Sequence, residues 1–373
     1  MMSISVRLLI AASAVFLPPT VGDEDAGPFP APVPAREGGG MMAWGYIDRQ
    51  GKMVVEPKYF NAGGFHDGLA PVALGRVWGY IDATGTMVIK PKFNDAQSFS
   101  EGLAAVQVEP DANTIIADPS GYIDKTGKMV IAAKFQKPSP FSDGVAWVAL
   151  DNRSIFIDKT GAPLPLPEKA KAAGSFRDGL GPIRRGADIG YIDPTGKVII
   201  EPREGLTDEG FADGLVSVTT ITGEFPHRIH TFAFIDKTGK TVLEPKLDFE
   251  NIANHHEFSD GLAMLEYRPS GVAFIDKTGA IAFRVEVPSL REVGDFHDGL
   301  ARIKVGGNID SGRGGKCGYI DRTGKVVIEP AYDEASDFEH GLAHVQRENP
   351  QKMRYDVAYI DTTGKVIWGF DQP

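Results

Sequence analysis

Apolar residues along the chain come in short runs separated by turn-forming residues, with no stretch of helical periodicity long enough to make a core. Leu69-Ala70-Pro71-Val72 is followed by Tyr80-Ile81-Asp82, and that by Met87-Val88-Ile89. Runs of this length, rich in β-branched and aromatic residues and bounded by Gly, Asp and Pro, predict strands. The same series then recurs. Tyr/Phe-Ile-Asp stands at 46–48, 80–82, 122–124, 156–158, 191–193, 234–236, 274–276, 319–321 and 359–361, each with Gly three residues after the Asp. The period is about 34 to 45 residues, within the range of structural repeats. We denote Leu-Ala-x-Val strand A, Tyr-Ile-Asp strand B, and the β-branched run after the Gly strand C.

Local chemistry sets the connections. Between B and C lies Asp-Lys-Thr-Gly-Lys or a close variant. Asp suits the first position of a type I turn, where its carboxylate caps backbone N–H groups. Gly suits the left-handed position that completes a G1 bulge. A tight antiparallel B–C hairpin follows. Glu-Pro then ends strand C, because Pro donates nothing to a ladder. A corner reading Phe-x-Asp/Glu-Gly precedes each strand A, from Phe65 to Phe338. Strand parity puts the Ala and Val of strand A on one face. The x position between them holds Pro71, Ala105, Trp147, Pro182, Ser217, Met264, Arg302 and His344. That scatter of residue types predicts an outward, exposed position. In strand B the Tyr/Phe and Asp share one face and Ile the other, so both faces are at least partly covered.

Composition refines the picture. The 373 residues carry 44 Gly and 26 Pro, which suits many short strands joined by turns. A net charge of −11 with no basic run disfavours nucleic acid as a partner. The single cysteine, Cys317, excludes an intrachain disulfide and a cysteine-based zinc site. Arg7 followed by the apolar run Leu8 to Leu17 and small residues at 20–22 predicts a secretory signal over 1–22. No later run is long and apolar enough for a membrane helix. Residues 23–43, with Pro28, Pro30, Pro32, Pro34 and Gly38 to Gly40, read as an extended, poorly ordered linker. The repeat domain then spans 44–373, about nine repeats with the last incomplete.

The motif Trp78-Gly79-Tyr80-Ile81-Asp82-x-x-Gly85, with Lys90-Pro91-Lys92-Phe93 and Phe99-Ser100-Glu101-Gly102-Leu103-Ala104, resembles the bacterial WG-repeat (KWG-repeat) proteins. Trp44-Gly45-Tyr46-Ile47-Asp48 matches likewise, and the resemblance covers residues 44 to 369. It implies a β-rich repeat fold and no shared catalytic residues. Departures are informative. The Trp slot holds Ser120, Ser154, Ile189, Phe232, Val272, Cys317 and Val357 elsewhere, and the Gly slot becomes Ile155, Ala233, Ala273 and Ala358. The fourth repeat replaces strand C with Ala162-Pro163-Leu164-Pro165-Leu166-Pro167. Starting at strand B and ending at strand C, the count is eight A strands and nine B–C hairpins. The termini therefore supply no complementary halves of one unit. The expected fold is all-β, a tandem array of hairpin repeats forming an open solenoid or superhelix, with a closed propeller-like ring as the alternative.

Candidate sites are weighed against architecture. The turn Asp residues offer one carboxylate each beside lysines, too few oxygens for calcium. The repeated Tyr is replaced by Phe156, Phe234 and Phe274, which points to packing. His227, His230, His255 and His256 have no spacing that forces a metal site. Gly306 to Gly315 lacks the strand–helix frame of a phosphate loop. Cys317 sits in the Trp slot, and no nucleophile elbow or isolated carboxylate pair stands apart from the repeat. No cofactor or metal is expected. Trp147, at the x position, is the candidate contact residue, joined by Arg302 and His344 as a candidate interaction surface. The inserts 107–120, 221–231 and 304–316 are further places for specificity. The functional expectation is a non-catalytic scaffold in the cell envelope or outside the cell, binding a protein or an envelope glycan. The alternative is an envelope-polymer hydrolase with a site formed between repeats.

Overall fold

A computed structural model of the chain describes residues 27–34, 42–110, 118–222, 229–245, 247, 252–267, 271–307, 314–349, 351 and 354–370. The expected secretory signal and the tips of the inserts lie outside the described residues. Among the described residues every regular element is a strand, and no helix is long and apolar enough to cross a membrane. The strands form nine small antiparallel sheets in chain order.

Sheet 1 contains β1 (Phe29–Pro34), β2 (Met42–Ile47) and β3 (Met53–Tyr59). Sheet 2 adds a short leading strand, giving β4 (Asn61–Ala62), β5 (Leu69–Leu74), β6 (Val77–Asp82) and β7 (Met87–Phe93). Sheet 3 repeats this with β8 (Asp95–Ala96), β9 (Leu103–Gln107), β10 (Ser120–Asp124) and β11 (Met129–Phe135). Strands A, B and C of the sequence are thus β5, β6 and β7 in sheet 2. Sheet 4 has two strands, β12 (Val145–Leu150) and β13 (Arg153–Asp158). The proline-punctuated 162–167 segment replaces its strand C, as the sequence implies. Sheets 5 to 9 occupy residues 171–203, 215–243, 252–284, 290–332 and 334–369.

The hairpin turns have the expected chemistry. Asp82 Oδ1 accepts from the Thr84 N–H at 2.9 Å, the Thr84 hydroxyl at 2.6 Å and the Thr86 N–H at 3.0 Å. The Thr84 hydroxyl holds the Asp82 carboxyl below its ordinary range, and the two backbone donors add to this. At the corner before strand A, Asp67 and Gly68 both adopt left-handed φ, 53° and 81°, between His66 and Leu69, which exchange backbone hydrogen bonds. That is the Asp-Gly preference of a primed two-residue hairpin.

The glycine after the Trp slot answers to a close approach. Strand C bulges over it, so Trp78 pairs with Phe93 while Tyr80 pairs with Ile89. A Cβ on Gly79 would lie 2.4 Å from the Ile89 carbonyl oxygen and 2.7 Å from Pro91 N. Gly45, Gly121, Gly190 and Gly318 meet the same contact. Where Ala fills the slot, at Ala233, Ala273 and Ala358, strand C is reduced to three or four residues.

Each sheet buries both faces, because it lies between two others. The Tyr face of sheet 1 (Tyr46, Val55, Tyr59) packs against Ala70, Val72 and Ile81 of sheet 2, with Phe65 between them. The Tyr80 face of sheet 2 packs on Ala104, Val106 and Ile123 of sheet 3 around Phe99. The pattern repeats through every sheet. Each corner Phe meets the preceding B-strand ring edge-on, as in Tyr80–Phe99 at 4.9 Å and Tyr319–Phe338 at 4.8 Å. Where the ring is Tyr, its hydroxyl donates to a backbone carbonyl of the next sheet's leading segment: Tyr46 to Gly63, Tyr80 to Gln97, Tyr122 to Ser139 and Tyr319 to Ser336. The corners also link up. Asp67 accepts from the Gly102 N–H, Glu101 from Gly144, Asp143 from Gly179, and so on to Asp298 and Gly341.

Two expectations change. First, Phe29–Pro34, inside the stretch read as a poorly ordered linker, is a strand paired along its whole length with β2. It takes the place of strand A in sheet 1, so the count of A-type strands rises to nine. Its prolines are compatible with pairing because they alternate with Phe29, Ala31 and Val33 on an edge strand, where alternate N–H groups point away from the ladder. Pro30 turns its carbonyl outward to accept from the Tyr359 hydroxyl at 2.9 Å. Phe29 lies 5.8 Å from the Tyr359 ring, and Phe29, Ala31 and Ile47 form one buried cluster with Leu342 and Tyr359. Sheet 9 therefore packs on sheet 1. Second, the x position of strand A is not exposed. Ala105, Ser217 and Met264 are buried, as are Pro71 and Pro182, and Trp147, Arg302 and His344 are half-buried. The x residue pairs directly with the B-strand ring, as Trp147 does with Phe156, so it faces the neighbouring sheet. Its variety reflects the different inter-sheet partners that the eight x residues meet.

Candidate functional site

The Trp slot decides where space opens. In sheets 1 and 2, Trp44 and Trp78 lie opposite Tyr59 and Phe93 and pack on the clusters shared with the next sheet. In sheet 3 the slot opposite Phe135 holds Ser120. The space an indole would fill is here an open cleft of about 420 Å³ between sheets 3 and 4.

The lining comes from both sheets. Asp95, Gln107 and Ser120 pair across neighbouring strands of sheet 3 and so share its Tyr122 face. Gln97 extends that face, and Ala105 gives it an apolar floor. Gln136, Lys137 and Pro138 close the far side from the leading segment of sheet 4, and Asp118 stands at the rim. The Gln97 amide is held by its Nε2 donating to the Pro138 carbonyl at 3.1 Å. Its Oε1 is enclosed and has no hydrogen-bond partner. The cleft sits at the root of the 107–120 insert, one of the segments expected to carry specificity.

A smaller space of about 140 Å³ lies at the equivalent slot between sheets 6 and 7, lined by Thr219, Thr231, Phe232, Asn254 and His255. Phe232 fills most of that slot and stacks on His255 at 5.0 Å. Burial pushes the His255 imidazole below its ordinary pKa. Nearby, Glu257 is buried and accepts from the Ser217 hydroxyl at 2.7 Å, and burial raises its pKa to about 7. His256 pairs with Asp295 at 3.0 Å, and that bond raises its pKa.

The candidate surface residues do not meet. Trp147 faces sheet 5 and packs on the cluster around Leu164 and Phe176. Arg302 lies 3.8 Å from Asp337 of sheet 9 and 3.8 Å from Glu292. His344 stands edge-on to Tyr359, 5.5 Å away. Each belongs to a different inter-sheet contact. Cys317 is fully buried, and burial raises its thiol pKa. His227 and the side chain of His230 lie outside the described residues. Of the cleft residues, Gln107, Asp118 and Ser120 fall in the 107–120 insert expected to carry specificity, whereas Asp95, Gln97 and Gln136 were not singled out from sequence. The available signal was Ser in a slot that elsewhere holds Trp.

Comparison with known proteins gives matches of two kinds. The family model described as WG containing repeat matches residues 44–76, 78–109, 121–153, 189–203, 232–266 and 318–349. Among solved structures, the chain is similar to one described as the eukaryotic initiation factor, at 10% identity and a TM-score of 0.53, over 88% of this chain and 92% of that one. At that identity the likeness concerns fold alone. It also aligns with the β-propeller domain of the Trilobed protease from Pyrococcus furiosus, 10% identical with a TM-score of 0.39, over 92% of this chain and 100% of that one. BamB from Moraxella catarrhalis aligns at 15% identity and a TM-score of 0.35, over 64% of this chain and 76% of that one. A search of curated proteins returns no match.

Proposed function

The chain belongs to the WG-repeat family, and from that premise we propose that it is an exported, non-catalytic scaffold, a closed ring of nine sheets that holds a protein or glycan partner. Closure is supported by the packing of sheet 9 on sheet 1 through Phe29, Ala31, Ile47, Leu342 and Tyr359. Export is supported by Arg7 and the apolar run that follows it. A scaffold role is supported by where the repeated polar groups are engaged. The turn Asp carboxylates cap their own turns, the Tyr hydroxyls serve the next sheet, and the corner carboxylates hold the next corner.

The observation that carries the reading is the cleft beside Ser120. There, polar side chains from two repeats converge on open space. A partner of the scaffold docks there.

The test compares the purified chain with a Ser120→Trp variant, each immobilised and exposed to a cell-envelope extract of protein and glycan. The expected result is retention of a defined species by the native chain and its loss from the variant. Equal retention by both, or retention by neither, overturns the reading. Turnover of an envelope polymer that is lost in Asp95→Asn would make the cleft a hydrolase site instead.

A further inference from the structure

Resting on the reading of the cleft as a binding site, we infer that its ligand is a short, uncharged saccharide, bound through its hydroxyl edges. The polar lining is mixed. Gln97, Gln107 and Gln136 each bring a carboxamide, Ser120 a hydroxyl, Asp95 and Asp118 carboxylates, and Lys137 one ammonium.

Each ligand class makes a different demand on that set. An anion would face two carboxylates against one ammonium and be repelled. An ammonium or guanidinium group only donates, so it would satisfy the carboxylates but leave the amide N–H donors unused. It would also meet Lys137. A sugar hydroxyl donates and accepts at once, and a ring bearing several such groups matches alternating amides and carboxylates. The bond to the Pro138 carbonyl fixes the Gln97 carboxamide in the wall of the cleft.

Size and surface agree. A volume of about 420 Å³ is at the small end of ligand pockets, room for a short saccharide rather than a polymer segment enclosed on all sides. The apolar surface of Ala105 and Pro138 suits the C–H face of a sugar ring. Among the described residues no aromatic ring lines the cleft, so recognition rests on hydrogen bonds and affinity is modest.

The experiment is calorimetry and ligand-observed NMR on the full chain. The probes are chitobiose, cellobiose and maltotriose, with trilysine and inorganic phosphate as the charged comparison. Ser120→Trp refills the slot as Trp44 and Trp78 do, and Gln97→Leu removes one carboxamide of the lining together with its bond to the Pro138 carbonyl. At least one uncharged saccharide is expected to bind, and to weaken about tenfold in Gln97→Leu and at least as much in Ser120→Trp. A denaturation midpoint matching the native chain certifies each variant as folded.

Preferred binding of trilysine or phosphate overturns the inference, as does saccharide binding that both variants leave intact. Should no saccharide bind while the envelope species is still lost in Ser120→Trp, the cleft stands as a binding site and only the saccharide assignment falls. Should that species also be unaffected, both fall.

Discussion

Glu257 shows how much a single side chain in these joints can matter. It sits before the corner Phe258, buried against Ser217 of the preceding sheet, with Glu209 adding to the upward shift and Arg177 opposing it. Unfolded, its carboxyl titrates near 4.5; folded, it keeps its proton to about 7. Between those values the native state holds more protons than the unfolded one, so stability falls as pH rises through that window and is level above it. His256, raised by Asp295, acts in the same direction, its contribution lost as pH rises through its folded pKa. A lower urea midpoint at about pH 8 than at about pH 5 is expected, with part of the difference abolished in Glu257→Gln. The Tyr hydroxyls make a second residue-scale case. Tyr80→Phe leaves the Gln97 carbonyl without its 2.7 Å donor, and a loss of about 1 kcal/mol by urea titration is expected. Phe156, Phe234 and Phe274 already show that the ring alone sustains the joint. The x position was misread at this scale because variety was taken for exposure. Ser217 with Glu257 and Arg302 with Asp337 are pairs formed across repeats, and one strand's sequence does not reveal its partner.

At the scale of the element, the B–C hairpin was fully legible, since its Asp, Thr and Gly act within one turn. The missing strand C of sheet 4 was legible for the same reason: prolines at 163, 165 and 167 remove the ladder donors on either side of Leu164, whose N–H alone reaches the Phe156 carbonyl. The glycine of the WG pair was visible as a motif, but its reason was not. It lies in the bulge of strand C, whose Ile89 carbonyl would be 2.4 Å from a Cβ. Gly79→Ala is expected to cost about 2 kcal/mol by displacing that bulge. Ala273→Gly, in a sheet whose strand C pairs without a bulge between Ala273 and Phe274, should cost only about 0.5–1 kcal/mol, the entropy of an added glycine. Urea midpoints of the two variants check the contrast, and equal losses would refute the bulge as the cause. The cleft escaped sequence reading for a related reason. Ser120 was noted as a departure, but an absent indole becomes a cavity only when the next sheet leaves it unfilled. Phe232, with His255 stacked on it, fills its own slot far better.

At the scale of the whole molecule, the repeat and the all-β class were legible, and the role of the N-terminal segment was not. Three prolines in six residues argue against a strand by propensity, and pairing survives because they sit on an edge. With Phe29–Pro34 as the ninth A-type strand, the mismatch of eight A strands against nine hairpins no longer disfavours a ring. His340 fits the same picture. The other corners place Asp or Glu there to accept from the next corner's glycine, but sheet 1 is entered through β1 without a corner. Phe29→Ala is expected to cost about 3 kcal/mol in a urea titration. Removal of residues through Pro34 is expected to enlarge the radius of gyration measured by solution scattering. An unchanged radius would argue against a ring held at this contact.

The contact between Pro30 and Tyr359 joins residues 329 positions apart. As the chain is made from its N-terminus, β1 emerges first, yet the surface that covers Phe29 and Ala31 is completed only when the last repeat has been synthesised. The interval is one of exposure, and the segment is suited to it. Its prolines offer no N–H groups on the outer edge, so a waiting strand cannot recruit a wrong neighbour by hydrogen bonding. The same composition that hides the strand from propensity reading makes it a safe element to leave uncovered until sheet 9 has been made.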